Sequence, residues 1–526
     1  MLRFSPKTVP EAPPSQKYFS HVNTPDKAIY VVLFAALLVF GVSLRSSFHF
    51  DDYSLFTDSA VTSSSGWWEV WRPLRPRPLT YFTFWLNYQF GGQNPVGYHA
   101  VNLALHLLAV RLLYGILNGL AGARVALIAA VIFAIHPIQS EPVLYVFERA
   151  TLLSTVFCLL CWRSWLASRN WSAVGWFALA VLSKEECVTF PLFLLIFRCA
   201  YLPCAAMMSL SLAAGIRVLV SSAALHVQVV GTQLYTTSQA SASPLAYADT
   251  IGSVIMRYFE MSLLPYLCTQ GIVILHYSRM LLLPYGLTID PDVPIVLDWR
   301  GWLAWVVILA TATFLWRNYR HGKWIGAGLI LLAPSSSIFP GADLAADRRL
   351  YLPMVAFAAL AGLLLQGIKR WMILAPVAVG LSVLSFVRAR IWLTEQTLWT
   401  EAVARAPRKV RPLLQLSRAS DAGTALRILD KAQAIAPDDP RPIQEKGLRL
   451  LAAKRPDLAL VQFERALILA PNDPDLLNDR GVAHTFLGQR DAAVEDFTHV
   501  LSINPCQGTA RRNLERLGIT YPVPCP

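Results

Sequence analysis

Residues 28–44, AIYVVLFAALLVFGVSL, form an apolar run with almost no polar interruption. The stretch after it, Arg45-Ser-Ser-Phe-His-Phe-Asp51-Asp52-Tyr53, brings two acids together. A run of that length is enough to cross a bilayer as a helix. Two carboxylates side by side repel each other, and burial near lipid raises the cost of charging either one. Two readings of the pair stand at this point. It is a solvated turn that ends the helix, or a place that grips a cation, holds a positive partner or moves a proton.

Working outward, the chain of 526 residues is 55% hydrophobic and only 15% charged, which fits a polytopic membrane protein joined to something soluble. The opening residues are polar and proline-bearing, so the first apolar run is expected to anchor rather than to be cleaved. Apolar windows recur as far as Arg388, giving about eleven crossings. One of these windows is 187–203. Lys7, Lys17 and Lys27, the basic loop Arg317-Asn-Tyr-Arg320-His-Gly-Lys323, and Lys369-Arg370 then fall on one face, which the positive-inside bias makes cytoplasmic. Segment 263–285 is apolar enough to cross, yet crossing would invert the loop at Arg317; it reads as re-entrant or amphipathic. The net charge of +13 is explained by those loops and by anionic lipid, with no nucleic-acid partner expected.

After Arg390 the composition becomes soluble and helical. Pro437, Pro471 and Pro505 recur every 34 residues, preceded in phase by KAQAIAP, RALILAP and HVLSINP. Gly447 and Gly481, and Phe463 and Phe497, keep the same interval. That period is the tetratricopeptide signature, and the helix from Gly508 to Leu517 can cap the stack. The expected organisation is therefore an N-terminal cytoplasmic segment (1–27), a transmembrane domain (28–390) and a short repeat solenoid with its capping helix (391–526). Among the eight cysteines, Cys158, Cys161, Cys187, Cys199 and Cys204 read as packing thiols. Cys506 and Cys525 could pair if the tail lies in an oxidising compartment.

Polar groups collect on the face opposite the basic loops. His99, Asn102 and His106 share one stripe of the second span, beyond Arg77; a polar stripe in a membrane helix faces other helices or a wet cavity. His136 and Glu141 precede Glu148-Arg149, and Arg149 either suits a phosphate or pairs with its neighbour. Lys184-Glu185-Glu186 and Asp347-Arg348-Arg349 are charged where plain hairpins need no charge. Acids and cations converging on one face suit a carboxylate that activates a hydroxyl near a cation-clamped phosphate. Motifs of ATP, serine or zinc hydrolysis are missing.

Several of these pieces resemble the membrane glycosyltransferases with tetratricopeptide tails, the family that includes the cadherin-directed O-mannosyltransferases. They are Phe48 to Tyr53 (FHFDDY), Arg77-Pro-Leu-Thr80, Leu86-Asn87-Tyr88, Asn94 to His99, Asn102 to His106, Ala134 to Pro137 with Glu141, Ser183-Lys184-Glu185, and Arg348 to Pro353 (RRLYLP). The resemblance implies an all-α, polytopic GT-C fold and a polyprenyl-phosphate-linked sugar donor. Asp51 or Asp52 would be the catalytic base, and Arg149, Lys184, Arg348 and Arg349 would be donor-phosphate contacts. Arg77, His99, Asn102, His106, His136, Glu141 and Glu185 would line the pocket. No cofactor is required, although the two acids could ligate Mg2+ or Mn2+. The implied setting is a bacterial inner membrane with the active face and tail in the periplasm, the tail recruiting an acceptor protein. The alternatives are a non-enzymatic membrane-anchored scaffold, and a ligase or transporter of lipid-linked glycans.

The departures from the family pattern are Phe147-Glu148 before Arg149, where relatives carry a small residue, and the short repeat array.

Overall fold

The computed structural model describes residues 27–72, 75–217, 244–336, 343–368 and 371–522. Residues 1–26, Lys369-Arg370 and Cys525 lie outside the described residues. Every regular element described is helical.

The first helix, Ala28–Phe40, tightens into a 3-10 turn at Gly41–Arg45 and delivers the chain to the acid pair. The longest polar-striped helix, Pro95–Ala121, starts where the Asn94 side chain accepts from the Val96 N–H, and stops at Gly122, whose φ of 90° suits glycine. The next helix, Ala123–Ile135, runs straight into Pro137. Proline cannot continue the i→i−4 ladder, so the chain bends by 53° onto Pro137–Leu144. The His136 ring caps the new turn by accepting from the Ile138 N–H at 3.2 Å. Helices Ala123–Ile135 and Met354–Leu365 pack closely because Gly362 has no side chain; a Cβ there would sit 2.6 Å from the Val125 carbonyl oxygen.

Among the described residues four helices are long and apolar enough to span a membrane, and five if the bent pair counts as one span. Helices Asn170–Ser183, Lys323–Leu332 and Met354–Leu365 are apolar but shorter. Trp299–Asn318 and Met372–Ile391 bury only 17% of their apolar windows inside the protein, so most of that apolar surface faces outward. The chain is a membrane protein.

Two sequence expectations give way here. The window 187–203 does not form one span. It breaks into a 3-10 turn at Glu185–Cys187, the six-residue helix Phe190–Leu195 and a new helix that starts at Tyr201, consistent with Pro191 and Pro203 each favouring a helix start over continuation. Residues 263–282 do not turn back as a re-entrant piece, which leaves the amphipathic reading of 263–285. They end a 39-residue helix, Pro244–Leu282, which packs on Trp299–Asn318 where Gly271 sits against Gly301 and Trp305. Cys199 is exposed, unlike the buried Cys158, Cys161, Cys187 and Cys204. Cys506 is disulfide-bonded.

The tail runs through eight helices from Glu395–Arg405 to Gly508–Arg516, each packed on its chain neighbour. Asp439 and Asp473 cap the helices that begin at Pro440 and Pro474. The glycines noted in the sequence are the seats of the phenylalanines. Gly447 lies under the Phe463 ring, and a Cβ on Gly481 would meet Phe497 at 2.7 Å. Gly447→Ala and Gly481→Ala should each cost about 1–3 kcal/mol by forcing a ring out of its seat. Native-state hydrogen exchange on the full-length protein would register this as faster exchange across Ala459–Leu501; unchanged exchange would show the fit to be looser than the geometry implies.

Candidate active site

Phe50–Phe56 forms a 3-10 turn just beyond the first helix, and it treats its two acids differently. Asp52 is fully buried. Its Oδ2 accepts from the His49 N–H at 2.9 Å and its Oδ1 from the Phe147 N–H at 2.8 Å. Asp52 therefore ties the turn to the segment at Val146–Glu148. Asp51 is exposed and faces the Tyr145 hydroxyl, with Arg411, Arg348 and Asp343 around it. Although the side chain reaches the surface, the protein packed around it strips part of its hydration and pushes the Asp51 carboxyl above its ordinary value, opposed by Tyr145 and then by Arg411 and Arg348. Burial pushes Asp52 further up, against the two amides that favour its charged form.

Aromatic rings fix this turn. Phe50 stacks on Tyr145 with centroids 5.1 Å apart and meets Trp399 edge-on at 5.5 Å. The start of the tail holds the backbone: the His49 ring nitrogen Nε2 lies 2.8 Å from the Trp392 carbonyl, the Ser47 N–H donates to Leu393 O, and the Phe50 N–H donates to Glu395 at 2.9 Å.

Below the turn lies a buried ion network. Glu148 is its centre, taking Lys184 Nζ at 3.0 Å, Arg348 Nε at 3.2 Å and the Thr151 hydroxyl. Arg348 also reaches Glu141 at 2.6 Å and Asp343 at 2.6 Å, so each of its three nitrogens meets a carboxylate. Lys184 adds Glu186 at 3.2 Å and Thr151 Oγ1 at 2.7 Å. Arg77, in the left-handed region at φ 53°, grips Glu185 with two nitrogens at 3.1 and 2.6 Å. Burial alone would raise Glu185; Arg77 outweighs it and holds the carboxyl down at about 2.

The remaining sequence candidates are placed as supports. Arg149 is fully buried, donating to Asn102 Oδ1, Thr83 O and Tyr98 O and lying 4.4 Å above the Phe84 ring. Asn102 passes the contact on to Tyr145 O at 3.1 Å. His106 bridges the Tyr351 hydroxyl at 2.8 Å and Ala134 O at 3.1 Å, His136 reaches Leu281 O at 3.3 Å, and His99 is buried within the bundle. Arg349 lies against Asp343 O, Leu344 O and the Tyr266 hydroxyl.

The phosphate contacts that the resemblance implied thus divide. Arg149 and Lys184 are buried with their donors engaged by the protein, which leaves them no reach to a ligand. Both oxygens of Asp52 accept from backbone amides. Among the described residues no group of three or more His, Cys, Asp or Glu side chains is placed to hold a metal ion. Three residues that sequence reading did not assign complete the mouth around Asp51: Tyr145, Asp343 and Arg411. Asp343 bridges Arg348 and Arg411, at 2.6 Å from each.

No family model matches the chain. A protein O-mannosyl-transferase of Caenorhabditis elegans is 36% identical over 116 residues, which cover 21% of this chain and 17% of that protein. Protein O-mannosyl-transferase TMTC4 of Mus musculus is 30% identical over 212 residues, covering 32% of this chain and 29% of the relative. The matched segments therefore span less than a third of those relatives' own length. Among solved structures, ArnT from Cupriavidus metallidurans bound to undecaprenyl phosphate aligns over 90% of this chain and 80% of its own, with 14% identity and a TM-score of 0.38. Over the matched part of its length, this chain is similar to the protein O-mannosyl-transferases that its motifs resemble.

Proposed function

We propose that the protein is a GT-C glycosyltransferase that moves a sugar from a polyprenyl-phosphate donor to a hydroxyl acceptor, a protein Ser or Thr, on the outer face of the membrane. One observation carries the reading: the two adjacent acids have different jobs, one locked to backbone amides and the other left exposed among Tyr145, Arg348 and Arg411. An exposed carboxylate with a raised pKa, beside cations, is suited to take a proton near an anionic leaving group.

In the proposed step Asp51 accepts the proton of the acceptor hydroxyl. The freed oxygen bonds to the sugar C1 as the bond from C1 to the phosphate oxygen breaks, and its electron pair leaves with the lipid phosphate. A single displacement of this kind inverts the configuration at C1. The ion network below holds the turn that carries Asp51. The tail, as a tetratricopeptide solenoid, offers the surface on which an acceptor protein would dock.

The test is transfer itself. Protein in nanodiscs, given polyprenyl-phosphate mannose labelled in the sugar and a Ser/Thr-rich peptide, should put label on the peptide. Partner retention on the tail with no transfer from any polyprenyl-phosphate sugar would make the chain a scaffold. Label moving to a lipid-linked glycan would make it a ligase. Protease added to intact spheroplasts should cleave the tail if the active face is periplasmic; a protected tail would sink that placement.

A further inference from the structure

The cations near Asp51 differ in what they have left to give a ligand. Arg77 meets Glu185 with two nitrogens, Arg348 meets three carboxylates, and Lys184 and Arg149 are buried and engaged. Arg411 is the exception. It comes from the tail, at the start of helix Val410–Arg418, and its side chain is 38% exposed. Only its Nη1 is engaged, 2.6 Å from Asp343 and 3.8 Å from Asp290. Among the described residues its Nε and Nη2 make no hydrogen bond, and these two form the edge that binds a phosphate with two parallel donors. Its guanidinium lies 5.8 Å from the Phe50 ring, the residue before Asp51.

The placement is held from both sides. Lys409, two residues earlier, pins the start of the helix to the membrane half through Asp290 at 2.5 Å and Pro291 O at 2.8 Å. Trp392, Leu393 and Glu395 grip the turn that carries the acids. Asp343 fixes Nη1 on the inner side.

We propose that Arg411, contributed by the soluble tail, is the residue that binds the phosphate of the lipid-linked donor, so that the tail completes the active site as well as offering a docking surface. This rests on the function proposed above. A charge-assisted contact of this kind carries roughly a tenfold or greater share of affinity.

Undecaprenyl phosphate binding to the full-length protein in nanodiscs provides the test, with undecaprenol as the phosphate-free control. Arg411→Ala should weaken undecaprenyl phosphate about tenfold or more and leave undecaprenol binding unchanged. Arg411→Lys, which keeps charge but loses the fork, should fall between. Arg408→Ala removes an exposed cation of the same tail segment that is no part of this contact, and should bind undecaprenyl phosphate like the parent. Equal binding by the parent and Arg411→Ala overturns this assignment and leaves the proposed reaction standing. An equal loss in Arg408→Ala and Arg411→Ala also overturns it, because the general positive charge of the tail would then account for the effect. A parent that does not distinguish undecaprenyl phosphate from undecaprenol overturns the donor reading itself.

Discussion

Asp51→Asn is expected to reduce sugar transfer by about 10²–10⁴-fold, the range for loss of a general base, with the thermal unfolding of the protein unchanged. The side chain is exposed and an isosteric amide still offers an oxygen to the Tyr145 hydroxyl, so the substitution keeps the shape and removes the proton acceptor. Asp52→Asn should behave in the opposite way. One oxygen becomes an NH2 group facing a backbone N–H in a fully buried site. Leaving a buried group unsatisfied costs about 1–3 kcal/mol, so this variant should melt earlier, its activity falling only as the fold is lost. The pH profile gives a second check. Asp51 acts ionised and its pKa is raised, so activity is present above that value and lost as pH falls through it, at a pH above the ordinary aspartate range. Equal loss of activity in both variants with neither destabilised would mean that the two acids share the proton, and the division of roles would fail.

That division marks the limit of what the sequence could disclose. The adjacency of Asp51 and Asp52 is plain in the chain, and so is their position just beyond an apolar helix. Which acid is exposed depends on two amides, one from His49 and one from Phe147, and the second comes from a segment far along the chain. The charged groups around the site were legible for a similar reason: Lys184, Arg348 and Glu141 stand out against apolar surroundings. Their roles were not, because each role is set by a partner on another segment. Arg411 gave no signal at all. It sits among Arg405, Arg408 and Arg418 in a stretch that reads as ordinary soluble helix, and only the packing of the tail on the membrane half brings it to Asp343. The 34-residue spacing, by contrast, found both Gly–Phe seats directly, since each seat lies within one helical pair. Local periodicity is readable; convergence across hundreds of residues is not.

The buried network makes the largest stability prediction. Glu148 is only 6% exposed and neutralises Lys184 and Arg348 together. Glu148→Gln keeps the shape and removes the charge, leaving Lys184 with the part-exposed Glu186 as its carboxylate partner and stripping Arg348 of one of three carboxylates. Breaking a buried pair from one side costs about 3–5 kcal/mol, far more than the pair contributes against an apolar replacement. The double variant Glu148→Gln/Lys184→Met should therefore recover part of the loss, since it also removes the cation left behind. A double-mutant cycle on thermal or denaturant unfolding measures that coupling. Additive losses would mean that water or Glu186 already satisfies Lys184. The neighbouring Arg77–Glu185 pair adds the pH dependence. Its acid is depressed from 4.5 to about 2, so its stabilisation is fully present above pH 4.5 and is lost as the pH falls through about 2. Arg77→Gln should shift the onset of acid unfolding towards higher pH, whereas an onset equal to the parent's would show that this pair does not hold its two segments together.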